Sequence, residues 1–319
     1  MRILITGGAG FIGSHLVKRL LLENHKIVVI DNFDPFYSIE DKKENIKVFK
    51  RDKNFKLFNV DITDRKKIAN IFLKHKFDQV IHLAAKAGVR PSIEDPVAYF
   101  KTNIEGTLTL LEACKDIKLK NFIFISSSSV YGERPKVPFS EDDKAENPIS
   151  PYVLTKLSGE KLLKIYSNLY SIPSTAIRLF TVYGPRQRPD LAIRKFIDKI
   201  YNANEIEMFG DGSTMRDYTY VDDIVDGIVK CVYQPFKFEV INLGNSSPIK
   251  LSELIKIIEK SLSKKAIIIK KPNQIGDVSR TYANIRKAKK LLNWKPNFKF
   301  EKGISMMIKW YLIKYAKKD

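Results

Sequence analysis

Cysteine is nearly missing from this chain: Cys114 and Cys231 are the two in 319 residues. They lie far apart and make no metal-like spacing, so a metal cluster or a disulfide framework does not organise the fold. Two buried, unreactive thiols in a reducing compartment are expected. Long apolar runs are missing too, and none approaches the length of about 20 residues that a membrane helix needs. Met1-Arg2 runs straight into Ile3-Leu4-Ile5 without a basic leader or a small-residue cleavage pattern, so a cytoplasmic location is expected. Internal repeats and low-complexity linkers are also lacking. Acidic residues are in short supply, with 36 Asp and Glu against 56 Lys and Arg, a formal net charge of +20. Clustered cations would suit a phosphate backbone. Here lysine is spread along almost every helix, arginine is comparatively scarce, and no recognition-helix pattern or basic–aromatic stripe occurs. The charge reads as a solvated lysine-rich surface, with neither a nucleic acid nor a membrane as partner and a mild benefit for dianionic substrates.

What is present is ordinary globular material, 44% apolar and 29% charged, in a chain longer than one core usually organises. Apolar strand patterns at Ile3–Thr6, Lys26–Ile30, Lys56–Val60, Gln79–Leu83, Asn121–Ser126 and Ser174–Phe180 alternate with helical ones. The helical stretches are Ser14–Leu22, a segment opened by Asp61-Ile62-Thr63-Asp64 and running to about Lys74, Val97–Asp116, and Tyr152–Tyr170. Ser150-Pro151 supplies the last of these with an N-cap and a favourable first residue. Such alternation predicts an α/β fold, a Rossmann-type doubly wound parallel sheet covered on both faces. After Phe180 the rhythm changes, and a smaller C-terminal α/β lobe is expected to bind substrate. Residues 1–180 form the predicted dinucleotide-binding domain, with approximately 219–243 returning to it through Glu239–Leu243, and 181–319 form the second domain.

Gly7, Gly10 and Gly13 sit at the first strand-to-helix turn. Glycine there lets the backbone turn tightly and approach a pyrophosphate, which a helix N-terminus attracts. Asp31, followed by Asn32, closes the next strand, where a carboxylate would hold a ribose diol and repel a 2′-phosphate, so NAD is favoured over NADP. Asp61-Ile62 after the third strand is placed to flank an adenine. No metal site is predicted.

Tyr152 and Lys156 are four apart on a predicted helix and share a face. A free tyrosine with a pKa of about 10 is a poor base at neutral pH, and a neighbouring cation favours the phenolate. Ser126-Ser127-Ser128-Ser129 closes the fifth strand, on the sheet edge where cofactor and substrate meet.

Together these segments resemble the extended short-chain dehydrogenase/reductase family and, within it, the nucleotide-sugar 4-epimerases. The carriers are GGAGFIG (Gly7–Gly13), HLAAKAGVR (His82–Arg90), SSSSVYG (Ser126–Gly132), SPYVLTK (Ser150–Lys156), RLFTVYGPRQRPD (Arg178–Asp190), MRDYTYVDDI (Met215–Ile224) and GDVSRTYA (Gly276–Ala283). The resemblance implies that Tyr152 takes the sugar O4 proton, that Lys156 binds the nicotinamide ribose and tunes the tyrosine, and that Ser127 bridges tyrosine and substrate. It also implies that Phe11, Ile12, Leu83, Ala84, Ala85 and Lys86 line the cofactor channel. Relatives that dehydrate or decarboxylate their 4-keto sugar resemble one another in carrying acidic residues just after that serine. Ser128 and Ser129 stand there instead, which disfavours both reactions and leaves simple 4-epimerisation through a transient 4-keto sugar.

The stretches around Ala87–Pro96, Ser126–Gly132 and Phe180–Asp190 most resemble UDP-glucuronate 4-epimerases. Ser128, Ser129 and Thr181 are then candidates to bind the C5 carboxylate, with Arg188 and Arg90 as longer-range charges and Val89 beside them. Arg216 and Arg280 resemble diphosphate binders, Phe209 a uracil neighbour and Asp277 a ribose or loop contact. Lys86 and Asn284 depart from the pattern. A UDP-glucose/UDP-galactose or N-acetylhexosamine 4-epimerase is the alternative enzyme, and a non-catalytic NAD-sensing protein the alternative class. The resemblance also implies a homodimer through Val97–Asp116 and Tyr152–Tyr170.

Overall fold

The computed structural model describes residues 1–272 and 278–316. In chain order, β1 (Arg2–Thr6) leads to α1 (Phe11–Leu22), β2 (Lys26–Ile30) to α2 (Ile39–Lys47), and β3 (Phe55–Phe58) to α3 (Arg65–Lys74). β4 (Gln79–His82) precedes the short α4 (Val89–Glu94) and α5 (Pro96–Phe100), a π-helical turn at Lys101–Glu105, and α6 (Gly106–Cys114). β5 (Asn121–Ser127) ends in a 3-10 turn at Ser128–Tyr131, and α7 (Pro151–Tyr170) leads to β6 (Ser174–Leu179). Then come β7 (Thr181–Tyr183), α8 (Ala192–Tyr201), β8 (Glu205–Phe209), β9 (Met215–Tyr220), α9 (Val221–Tyr233) and β10 (Phe238–Leu243). β11 (Pro248–Lys250), α10 (Leu251–Leu262), β12 (Ile267–Lys271), α11 (Arg286–Leu292) and α12 (Phe300–Tyr315) follow.

Seven strands form one parallel sheet in the order β10-β6-β5-β4-β1-β2-β3. Their apolar runs face opposite sides at alternate residues, as strand geometry demands. Ile3 and Ile5 join one core with α1 and α9, whereas Leu4 joins another with α3, α6 and α7. Both faces are covered, which is why the strands read as continuous apolar stretches rather than alternating ones. Glu239–Leu243 returns to this sheet beside β6, as the sequence predicts. The order reverses beside β1, which pairs with β2 on one side and β4 on the other. Thr6 is opposite Ile30 and His82 there, so a crevice opens beyond the aligned C-terminal ends of the strands.

The smaller elements form a three-stranded sheet, β11-β9-β7, and a parallel pair, β12-β8. The helix expected over Val97–Asp116 is broken by the π turn, which sets Asn103 facing inward. Its side chain donates to the Lys86 carbonyl (2.9 Å) and Thr155 Oγ1 (2.9 Å) and accepts from the Lys86 amide (2.8 Å). An inserted residue of this kind re-aims a side chain at the cost of helical regularity. The helix after Asp61 starts at Arg65, where Asp64 Oδ1 accepts the Lys67 amide. Both cysteines are free and buried, and burial pushes their thiols well above the ordinary range. Among the described residues, no helix is long and apolar enough to cross a membrane.

Candidate active site

The crevice holds a cavity of about 410 Å³. Gly7, Gly10, Phe11, Ile12 and Gly13 line one end of it. Gly7 sits at φ +72°, and a Cβ there would lie 2.8 Å from the Ala84 nitrogen. A Cβ on Gly13 would lie 2.2 Å from the Gly7 carbonyl oxygen, so only glycine lets α1 spring this closely from the turn. No side chain caps α1, which leaves its positive end open to an anion. At the tip of β2, Asp31 Oδ2 accepts the Ala9 amide and Oδ1 the Phe33 amide, each at 2.9 Å. Burial pushes its pKa up, and these two bonds together with Lys42 pull it back. Asn32 also lines the cavity and donates to Asp61 Oδ2 at 2.7 Å. Burial opposes the Asp61 charge, but the Thr63 and Asn32 hydrogen bonds prevail and hold its pKa low.

The other end is built by β5 and α7. Ser150 Oγ caps α7 by accepting the Val153 amide at 3.3 Å. Gly159 lets the helix lie close on the sheet, because a Cβ there would fall 2.3 Å from the Phe124 ring. Tyr152 and Lys156 are thereby buried at the floor of the cavity beside Ser127, Ser128 and Ser129. Ser127 Oγ donates to Ser129 Oγ (3.1 Å), accepts the Ser129 amide (3.1 Å), and hydrogen-bonds the Tyr152 phenol. Lys156 Nζ donates to the Ile125 carbonyl at 2.8 Å. Burial pushes the Lys156 ammonium down to about 8, against an upward pull from Glu160. Burial pushes the Tyr152 phenol up, opposed by the Ser127 hydrogen bond and the charge of Arg188. The charge of Arg188 thus favours the phenolate. Its guanidinium forks onto Asp190 (3.0 and 2.8 Å) and lies 5.1 Å over the Phe36 ring.

Leu83, Ala85, Val89 and Thr181 also face this cavity. Several predicted residues do not line it. Ala84 backs onto Gly7, and Ile62 is buried against Gly106. Lys86 pairs with Asp34 at 3.2 Å. Arg90 stacks 5.5 Å over the Phe209 ring. Arg216 Nη1 donates to the Met215 carbonyl at 2.9 Å. Arg280 lines a second cavity of about 290 Å³ with Glu133, Met215 and Ser279, and donates to the Pro135 carbonyl at 2.6 Å. Asp277 lies outside the described residues. Tyr37 and Lys42 line the main cavity without having been predicted, the Lys42 ammonium 4.4 Å over the Tyr37 ring. No spacing rule marks them; Ser38 as the N-cap of α2 is the one local signal. Among the described residues, no group of His, Cys, Asp or Glu could hold a metal ion.

The family described as GDP-mannose 4,6 dehydratase matches residues 4–307. A UDP-glucuronate 4-epimerase of Thermodesulfobacterium geofontis is 42% identical over 309 residues, 96% of this chain and 95% of that one. The crystal structure of UDP-glucuronic acid 4-epimerase from Bacillus cereus, in complex with UDP-glucuronic acid and NAD, is 38% identical with a TM-score of 0.94. It covers 99% of this chain and 100% of that chain. A UDP-glucose 4-epimerase from Thermotoga maritima, crystallised with UDP-glucose, is 33% identical with a TM-score of 0.89, over 98% of each chain.

Proposed function

The chain belongs to the GDP-mannose 4,6 dehydratase family, among the extended short-chain dehydrogenases/reductases, and from that premise we propose that it is an NAD-dependent 4-epimerase converting UDP-glucuronate to UDP-galacturonate. The observation that carries the reading is the make-up of the cavity floor. Tyr152, Lys156 and Ser127 converge there with Ser128, Ser129, Thr181 and Arg188. Asp31 and Asp34 are the carboxylates among the described residues lining the cavity, and both lie beyond β2 at its far end. Eliminating water from a 4-keto sugar needs an acid beside the reacting carbons, and the serines offer none. The family's descriptive name therefore does not decide the chemistry, whereas the floor of the site does.

The residues present fit NAD. The glycine turn leaves backbone exposed where a Cβ would collide, α1 offers an uncapped N-terminus, and Asp31 retains lone pairs for a ribose diol. When bound, NAD supplies reversible hydride acceptance at C4. The chain's own residues handle the proton. Tyr152 takes it from O4, with Ser127 bridging to the substrate hydroxyl and Arg188 favouring the phenolate. After the 4-keto sugar has turned to present its other face, Tyr152 returns the proton. Ser128, Ser129 and Thr181 offer hydroxyl donors to the C5 carboxylate, and Arg188 adds charge. Arg216 and Arg280 bind the diphosphate and Phe209 lies near the uracil, with Arg90 over the Phe209 ring.

Arg188 already spends Nε and Nη2 on Asp190. That favours a second reading, a UDP-glucose 4-epimerase, in which the C5 substituent is neutral. Incubation with UDP-glucuronate, followed by proton NMR of the sugar, tests the first reading. Absence of galacturonate at equilibrium rejects it, and a parallel reaction with UDP-glucose tests the second. Residues 1–180, with about 219–243, serve as the cofactor-binding domain and 181–319 as the substrate-binding one. A cytoplasmic homodimer is part of the proposal. Exposed Val97, Phe100, Ile165 and Leu169 on α5 and α7 support that pairing.

A further inference from the structure

The tyrosine–lysine pair carries an electrostatic difficulty. Burial drives the Lys156 ammonium down to about 8 and the Tyr152 phenol upward. Burial opposes the ammonium, and a lysine that loses its proton leaves no cation one turn from the phenolate.

The next turn of α7 meets this difficulty. Glu160 follows Lys156 by four residues, so the two share a helix face, and both are buried. Glu160 Oε1 accepts from Ser126 Oγ (2.5 Å) and Arg178 Nε (3.0 Å), and Oε2 accepts from Arg178 Nη2 (2.8 Å). Lys156 Nζ grips the carbonyl of Ile125, the residue just before Ser126. Two side chains of α7 thus hold consecutive residues at the end of β5. The carboxylate thus stands one helical turn from the lysine and acts on its ammonium through charge.

Arg178 is itself braced. Its guanidinium lies 4.8 Å over the Tyr131 ring, whose hydroxyl donates to Asn242 Oδ1 at 2.7 Å. The fork-to-fork arginine holds the carboxylate in place with two parallel hydrogen bonds. The other described groups around Lys156 supply no negative charge. His82 from β4 is neutral, its pKa pushed down to about 3 by burial, and its nitrogens are bonded to Thr6 and Thr107. β5 contributes the Phe124 ring at 5.0 Å and the Ile125 carbonyl. Tyr152 lies on the same helix, and Arg178 reaches in from β6 with its charge committed to Glu160.

We propose that Glu160, clamped by Arg178 and Ser126, is a positioning residue that keeps Lys156 charged and seated on the cavity floor. The use made of that charge rests on the epimerase reading; the clamp itself does not.

The test is a titration of the holoenzyme carrying lysine labelled with carbon-13 at Cε, read by NMR. Loss of one signal in Lys156→Met assigns the residue. In the wild type that signal titrates near 8, apart from the exposed lysines. In Glu160→Gln the midpoint falls by about one pH unit or more, and the alkaline limb of epimerisation moves down with it. Ser126→Ala removes a hydrogen bond but no charge, so it lowers thermal stability and leaves the midpoint in place. If Glu160→Gln does not fold, the double variant Glu160→Met with Arg178→Met, which removes both members of the buried pair together, carries the same test, and the midpoint again falls. A midpoint unmoved by loss of the charge, or moved as far by Ser126→Ala, overturns the proposal. Wild-type protein that titrates as stated but does not epimerise UDP-glucuronate sinks the functional reading and leaves the clamp standing.

Discussion

Tyr99 meets Tyr152 edge to face, with ring centroids 6.2 Å apart and planes at 83°. The contact joins α5 to α7, and the Tyr99 hydroxyl donates to the Ala87 carbonyl at 3.1 Å. One side chain thus steadies the proposed base and the loop that carries Val89 into the cavity. Edge-to-face packing fixes a ring's orientation at little entropic cost, so Tyr99 sets the plane from which the phenol works.

Tyr99→Phe keeps the ring and removes the hydrogen bond. We predict a loss of about 1 kcal/mol of stability and a KM for the nucleotide sugar that rises more than kcat falls. Tyr99→Ala should cost roughly 3–5 kcal/mol, as other buried aromatic truncations do. Urea unfolding and steady-state kinetics read both. A kcat in Tyr99→Phe as low as that of Tyr152→Phe would mean that Tyr99 takes part in the chemistry rather than in its support.

Gly13→Ala tests the glycine turn. The added methyl would lie 2.2 Å from the Gly7 oxygen and 2.8 Å from Gly8 Cα, both backbone atoms that cannot swing aside. We predict protein with a lowered melting temperature and little bound NAD. The check is the cofactor released on denaturation, quantified by chromatography. Full NAD content in this variant would show that the turn does not carry the cofactor.

The parallel sheet was legible because its strands are buried on both faces, so Ile3-Leu4-Ile5 and Lys26–Ile30 stand out without any alternation to decode. The glycine turn and the Tyr152–Lys156 pair were legible because each rests on local geometry, a tight turn in one case and one helical turn in the other. Contacts between distant segments were not. The Glu160–Arg178 pair joins α7 to β6, and no local pattern distinguishes it from two surface charges. Lys42 and Tyr37 sit in a polar stretch whose helix, α2, carries little apolar signal beyond Ile39 and Ile46. The π turn at Lys101–Glu105 interrupts a run whose periodicity suggests one continuous helix. Arg280, which the resemblance makes a diphosphate binder, lines the second cavity with Glu133 and Ser279.

Arg188 gives a prediction about pH. Its charge favours the Tyr152 phenolate and so lowers that phenol's pKa. Removing the cation raises the pKa, and a base with a raised pKa is ionised only at higher pH. The acid limb of kcat/KM should therefore move upward in Arg188→Ala, and stay near its wild-type position in Arg188→Lys. The same variant should weaken UDP-glucuronate more than UDP-glucose. Equal losses on both substrates, with an unmoved acid limb, would reduce Arg188 to a partner of Asp190.

Tyr152→Phe is the most direct test of the proton-transfer assignment. The phenolic oxygen has Ser127 as its hydrogen-bonding neighbour, and the ring keeps its packing against Tyr99 when that oxygen is removed. The glycine turn and Asp31 lie at the opposite end of the cavity, so NAD should remain bound. Turnover should fall by about 10²–10⁴-fold, the usual worth of a positioned general base. Ser127→Ala should slow the same step, and the double variant should be scarcely slower than Tyr152→Phe alone, because residues that act as a unit are not additive. If the two losses multiply, Ser127 and Tyr152 serve separate steps. If Tyr152→Phe turns over at near wild-type rate with NAD in place, another group takes the O4 proton, and the chemistry must be sought elsewhere in the cavity.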